Sequence, residues 1–161
     1  FINNILMKDV INDWRQITAY IPQESLMLNE TLEANIKLDK NGNSKKEDYQ
    51  LSQSILQAQL KTFVNDLPEG VDTNIGESGI RLSGGQRQRV SLARAIFHSR
   101  EILVFDEATS ALDSETEKEV MDEIIKMKEL KTLIIIAHRT DTLKFCDRIY
   151  TIENGSIVEN A

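Results

Sequence analysis

Apolar positions along the 161-residue chain recur with two different periods. Short unbroken runs, ILVF (102–105) and LIIIA (133–137), have the length and branched side chains of strands buried on both faces. FINNIL (1–6) and ITAYIPQ (17–23) are rich in Ile, Phe and Tyr and also predict strands, the second ended by Pro22. Elsewhere the spacing is helical. KEDYQLSQSILQAQLKTFVNDL (46–67) sets Leu56, Leu60, Phe63 and Val64 on one face. A helix from Ser83 to about His98 turns Val90, Ala93, Ile96 and Phe97 inward. SETEKEVMDEIIKMKEL (114–130) keeps Val120, Ile124 and Met127 on one stripe, and Ser114 and Glu117 have capping-box spacing at its start. NETLEANIKL (29–38) predicts a short helix, DKNGNSKKED (39–48) a polar loop, and LPEGVDTNIGESGIRL (67–82) a loop punctuated by glycine. RIYTIENGSIVEN (148–160) reads as a hairpin turning at Asn154-Gly155.

Two continuous apolar strands joined by a helix predict a parallel sheet. The stretch from Glu24 to about His98 is predicted helical and without strands, so a helical insertion interrupts a sheet-based core. Acids outnumber bases 26 to 19, for a net charge of -7, which argues against nucleic acid as a partner. The single cysteine, Cys146, rules out an internal disulfide. No apolar run approaches the ~20 residues of a membrane-spanning helix, so the chain is expected to be soluble. FINNILMKDV lacks the basic start and long apolar centre of a signal peptide, and the absence of an initiator methionine fits a fragment.

The chemistry collects at strand ends. Parallel α/β sheets bind ligands beyond the carboxyl ends of their strands. ILVF runs into Asp106 and Glu107, LIIIA into His138, and the YIPQ strand into Gln23. Asp106 by itself equally suits the cap of a following helix, and a lone histidine after a strand is ordinarily a surface residue. Together they suit a Mg²⁺–nucleotide site: Asp106 on the metal, Glu107 polarising the attacking water, His138 on the terminal phosphate. In RLSGGQRQRV (81–90), Ser83 and Gln86 have capping-box spacing, which explains both but not the two glycines between them. Glycines there favour close approach of a ligand to the backbone, at a helix start that suits an anion. Arg81, Arg87, Arg89 and Arg94 read mainly as a solvated face.

The segments LSGGQ (82–86), ILVFDEATSALD (102–113) and IIIAHR (134–139), with YIPQE (20–24) before them, resemble the nucleotide-binding domain of ABC transporters in order and spacing. The resemblance implies an α/β fold: an incomplete P-loop NTPase (RecA-like) parallel-sheet core with the ABC helical subdomain inserted. Residues 1–23 would be core strands up to the Q-loop, 24–98 the helical subdomain ending in the signature helix, and 99–161 the core with Walker B, D-loop and switch histidine. It assigns Gln23 to the Q-loop and to the metal. Ser83, Gly84, Gly85 and Gln86 become the signature that contacts ATP on the opposite subunit. Asp106 becomes the Walker B metal ligand, Glu107 the catalytic glutamate, Asp113 the end of the D-loop and His138 the switch histidine. TNIGESGIRLSGGQRQR, with Glu77, and LMLNETLEANI are closer to exporters than to importers. YIPQESLMLNETLEANI and CDRIYTIENGSIVE faintly resemble lipid-linked oligosaccharide flippases.

One motif of the family is missing. The glycines stand at 42, 70, 76, 79, 84, 85 and 155, and none is followed by lysine, so no G-x-x-x-x-G-K-[ST] phosphate loop is present. The resemblance therefore implies the C-terminal two-thirds of an exporter's ATPase domain. Its cofactors would be ATP and Mg²⁺. Its partners would be a second nucleotide-binding domain, as homo- or heterodimer, and the transmembrane domains, on the cytoplasmic face of the cell membrane. Two other readings share these motifs. One is a soluble ABC-class ATPase acting on nucleic acid or ribosomes, against which the acidic balance and Glu77 count. The other is a non-catalytic module supplying only the signature, against which Glu107 and His138 count.

Overall fold

TAYI and ILVFD lie side by side in parallel, and TLIII extends the ladder on the far side of ILVFD. The computed structural model describes residues 4–39, 45–76, 79–137, 143–153 and 155–160. In chain order these form α1 (Met7–Ile17), β1 (Thr18–Ile21), β2 (Glu30–Thr31), α2 (Leu32–Lys37), α3 (Lys45–Gln57), α4 (Lys61–Asn65), β3 (Asn74–Ile75), α5 (Gly84–Phe97), β4 (Ile102–Asp106), α6 (Ser114–Met127), β5 (Thr132–Ile136), β6 (Ile149–Glu153) and β7 (Ser156–Asn160). The sheet order β1-β4-β5 pairs Ile21 with Phe105 and Asp106 with Ile136. The parallel sheet expected from the apolar runs is present, as is the closing hairpin of β6 and β7. Gly155 takes a left-handed φ of 78° in its turn, while Asn154 lies outside the described residues. The strand expected at FINNIL falls partly outside them too, and its last residue, Leu6, precedes α1.

The sheet was expected to be buried on both faces; it is buried on one. Ile21, Leu103 and Phe105 are almost fully covered, and Leu133 and Ile135 pack against the same core. α5 and α6 supply that cover, with Leu92, Val120 and Ile124 in one buried cluster with Ile21 and Phe105. On the other face Tyr20 is 57% exposed, Ile134 43% and Ile136 49%. Successive strand residues point to opposite sides, so one apolar run carries both a core face and an open face.

The middle of the chain was expected to hold no strands. It holds a two-residue antiparallel ladder, Glu30–Thr31 on Asn74–Ile75, which ties the start of α2 to the loop before α5. The long helix expected over 46–67 is broken. Gln59 adopts φ 55°, its N–H bonds Leu56 C=O (3.0 Å) and Leu60 N–H bonds Ile55 C=O (2.9 Å), the Schellman pattern of a helix end. Of the face expected there, Leu60 is buried and Phe63 and Val64 pack against the core, but Leu56 is exposed, and α3 turns Leu51, Ser54 and Ile55 inward instead. Arg89 of α5 donates to the Gln59 carbonyl at 2.7 Å, so the break is held by a group from 30 residues away. Buried Asn35 bonds both the N–H and the C=O of Leu28 (2.8 and 3.0 Å), folding segment 28–31 onto α2. Among the described residues no helix is long and apolar enough to cross a membrane.

The start of α6 also differs from the capping box expected at Ser114. Asp113 is the N-cap, accepting from Thr116 N–H at 3.0 Å, and Glu117 instead accepts from the Thr109 hydroxyl. The Thr116 hydrogen bonds hold the Asp113 carboxyl below the usual carboxylate range. A depressed folded-state pKa contributes stability in full above the unfolded value, near pH 4, and loses it as pH falls through the lower folded value. Asp113→Ala is therefore expected to lower the melting temperature at neutral pH, with the difference from wild type vanishing in acid. Ser114→Ala should leave the melting temperature unchanged at both. Equal effects of the two substitutions in a pair of melting curves would contradict this cap.

Candidate active site

β1 and β4 run parallel, so their carboxyl ends lie at the same edge and deliver Gln23, Asp106 and Glu107 together. Asp106 is the last residue of β4, on the open face of the sheet. Two residues back on that face, in the neighbouring strand, the Tyr20 hydroxyl donates to Asp106 Oδ2 at 2.5 Å. The carboxylate acceptor pushes the Tyr20 phenol above its usual pKa, so it stays protonated and remains a donor. Glu107 leaves the strand with φ 48°, a conformation uncommon outside glycine. Its N–H still bonds Ile136 C=O at 3.0 Å, and its own C=O accepts from Ser110 N–H at 3.0 Å. The turn swings the carboxyl group towards the loop after β1, where Gln23 Nε2 donates to Glu107 Oε2 at 3.1 Å. Strain of this kind, held by bonds on both sides, recurs at functional sites.

The signature-like segment opens α5. Ser83 Oγ accepts from Gln86 N–H (3.2 Å) and Gln86 Oε1 accepts from Ser83 N–H (2.8 Å), completing the capping box. The two glycines have a reason inside the chain. A Cβ on Gly84 would come within 3.3 Å of the Ala111 methyl, and one on Gly85 within 3.1 Å of both Ala111 O and Leu112 Cδ2. Segment 110–113 thus lies directly against the start of α5, and glycine at both positions permits the approach.

The arginines expected on a solvated face divide. Arg81 and Arg87 are exposed, although Arg87 donates to Leu82 C=O at 2.7 Å. Arg89 and Arg94 are half-buried, and their guanidinium groups satisfy main-chain carbonyls: Gln59 for Arg89, and Asn35 of α2 (2.7 Å) and Leu26 for Arg94.

Two polar residues escaped the sequence analysis. Tyr20 was read only as strand-forming. Gln88 is 3% exposed, and its side-chain amide reaches the Gln23 carbonyl and Ser110 Oγ at 3.3 Å and the Glu107 carbonyl at 3.5 Å. Ala111 N–H donates to Gln88 Oε1 at 3.1 Å. A signal was available: Gln88 shares the helical stripe of Ser91, Leu92 and Ala95, all buried. Of the expected site residues, the structure brings Gln23, Asp106 and Glu107 together and sets Gly84 and Gly85 against the 110–113 segment. Asp113 sits at the head of α6 as its cap. His138 and Glu77 lie outside the described residues.

With a parallel core, an inserted helical segment and acids at the strand ends, the chain has the architecture of a P-loop NTPase. The sequence model for ABC transporters matches residues 2–110. The chain belongs to the ABC transporter family. It is 41% identical over 149 residues to an ATP-dependent lipid A-core flippase of Ralstonia nicotianae, covering 92% of this chain and 25% of that protein. It is 40% identical over 159 residues to ABC transporter B family member 6 of Dictyostelium discoideum, covering 98% of this chain and 23% of that protein. A solved bacterial Atm1-family ABC exporter with ATP bound superposes with TM-score 0.82 at 36% identity, over 92% of this chain and 26% of that one. The chain thus spans about a quarter of the length of these relatives.

The glycine contacts make a direct test. At Gly85 an added methyl meets a backbone oxygen at 3.1 Å, which cannot rotate away, whereas at Gly84 its nearest contacts are the Ala111 methyl at 3.3 Å and the flexible Arg87 guanidinium at 4.0 Å. Overpacking typically costs about 1–3 kcal/mol, against a helix-propensity gain of up to about 1 kcal/mol for Gly→Ala. Gly85→Ala is expected to unfold at lower denaturant concentration than wild type, and Gly84→Ala at a concentration nearer to it. The reverse order in urea titrations would show that segment 110–113 does not constrain α5.

Proposed function

We propose that this chain is part of the ATPase engine of an exporter-type ABC transporter, and that the intact protein hydrolyses ATP to drive substrate across a membrane. The observation that carries the reading is the meeting of Gln23 and Glu107 at 3.1 Å, beside Asp106, at the ends of parallel strands. They stand 84 positions apart in sequence, which makes a chance encounter of these two side chains a poor explanation.

Each residue then has a role. Glu107 accepts a proton from the attacking water and orients it toward the γ-phosphate. Gln23 holds one Glu107 oxygen in place through its amide N–H. Asp106 and the Gln23 side-chain oxygen suit Mg²⁺, a hard cation that takes one or two protein oxygens, keeps several waters and completes its shell with substrate phosphates. When bound, the ion would neutralise charge developing on the phosphates. Ser83, Gly84, Gly85 and Gln86 would face ATP held by a second nucleotide-binding domain, with Asp113 closing the D-loop near the same junction. His138 would bond the terminal phosphate. The transmembrane domains would be the other partner, with this chain on the cytoplasmic face of the membrane.

In the full-length protein, Glu107→Gln should bind ATP normally and lose turnover by roughly 10²–10⁴-fold. A glutamine can still accept the Gln23 bond through its amide oxygen, so the substitution removes the base and keeps the geometry. Steady-state phosphate release near the wild-type rate would overturn the assignment of Glu107.

A second expectation concerns the 161-residue chain alone. ATP binding in this architecture depends on the backbone N–H groups and lysine of a phosphate loop, and no glycine here precedes a lysine. Asp106 and Glu107 repel a polyphosphate when no cation lies between. Calorimetric titration with ATP and Mg²⁺ should therefore detect no micromolar binding, and a phosphate assay no turnover. Micromolar affinity would place the phosphate site elsewhere in the chain.

A further inference from the structure

We propose that Gln88 is a positioning residue for hydrolysis: its buried amide locks the helix behind the signature to the Gln23 loop, the Glu107 turn and the 110–113 segment. The inference rests on the ATPase reading above and adds to it a residue which that reading does not use. All the groups that Gln88 meets are main chain or hydroxyl: Gln23 C=O, Glu107 C=O, Ser110 Oγ and Ala111 N–H, at 3.3, 3.5, 3.3 and 3.1 Å. They lie 65, 19, 22 and 23 residues away in sequence, so one amide collects the segments that build the site. Gly85 stands one turn earlier on the same side of α5 and abuts Ala111 as well. Segment 110–113 is therefore held from two points of one helix face. Glu107 sits in a left-handed conformation whose carbonyl is among the groups that Gln88 touches. A shift of α5 would consequently move the backbone of both residues that share the 3.1 Å Gln23–Glu107 bond.

A buried glutamine that merely fills the core would behave differently. Its loss would lower stability and leave the chemistry of folded molecules intact. Gln88→Glu keeps the size and the acceptor for Ala111 N–H, but turns an oxygen towards the carbonyls of Gln23 and Glu107. Gln88→Met keeps similar length and removes both donor and acceptor without burying a charge. Displacing a reacting group by about 1 Å costs on the order of 10²-fold in rate.

The test measures kcat, KM for ATP and urea unfolding for wild type, Gln88→Glu, Gln88→Met and Glu107→Gln in the full-length protein. Both Gln88 variants are expected to lose about 10–100-fold in kcat with KM little changed, the split that marks a lost transition-state interaction. Wild-type kcat in folded Gln88→Glu or Gln88→Met, whatever their unfolding midpoints, would overturn the proposal. So would failure of both variants to fold, which would assign Gln88 to core stability. Glu107→Gln separates the two levels. If it still hydrolyses ATP, the assignment of the catalytic base has failed. If it is inert while the Gln88 variants turn over normally, only the role of Gln88 has failed.

Discussion

The parallel pairing of β1 with β4 is the constraint on which the rest depends. Parallel neighbours cannot be joined by a tight turn; the chain must cross over and return. Here the crossover runs from Pro22 to Glu101 and contains the helical segment and α5. The register Ile21↔Phe105 then fixes the relation between Gln23, two residues beyond β1, and Glu107, one beyond β4. Without that ladder the two side chains would share no neighbourhood.

α5 turns the crossover into part of the site. Its buried stripe packs on the sheet, its capped end meets segment 110–113, and its arginines satisfy the carbonyls of Gln59, Asn35 and Leu26. Arg94 holds Asn35 and Leu26, and Asn35 holds Leu28. The stretch after Gln23 is therefore fastened to the same helix at several points along its length. Backbone groups left unbonded in a covered position are costly, which is why long polar side chains reach them.

Local rules are broken where these elements meet. Two glycines open a helix, a glutamine sits on its buried stripe, and a glutamate adopts φ 48°. Each is unfavourable by itself and each is matched by a specific contact: the Ala111 backbone, the four partners of Gln88, and the bonds of Glu107 to Ile136 and Ser110. Departures from local preference that cluster at one place are expected at functional or strained sites. Tyr20 belongs to the same group: an exposed aromatic on the open face whose hydroxyl is committed to Asp106.

Most element types were legible in the sequence, because apolar runs and helical spacing reflect the chain's own periodicity; the helix α1, within residues 1–23 that were expected as core strands, and the short β2 and β3 were not. The strand-end acids, the signature segment and the family resemblance were legible for the same reason, as short contiguous patterns. Other features depended on residues far apart. Gln59 breaks the helix because Leu60 and Ile55 bury together and Arg89 reaches its carbonyl, neither of which a local pattern reveals. Asp113 takes the cap expected of Ser114 because the helix begins one residue earlier than the spacing implied. Whether β5 was covered on one face or two depended on where α5 and α6 packed. Gln88 looked like one more polar residue in a basic helix, since its meaning lies in partners 19 to 65 residues away. Sequence alone determined which groups could do chemistry; only the tertiary structure decided which of them meet, because contact between distant segments depends on register and packing.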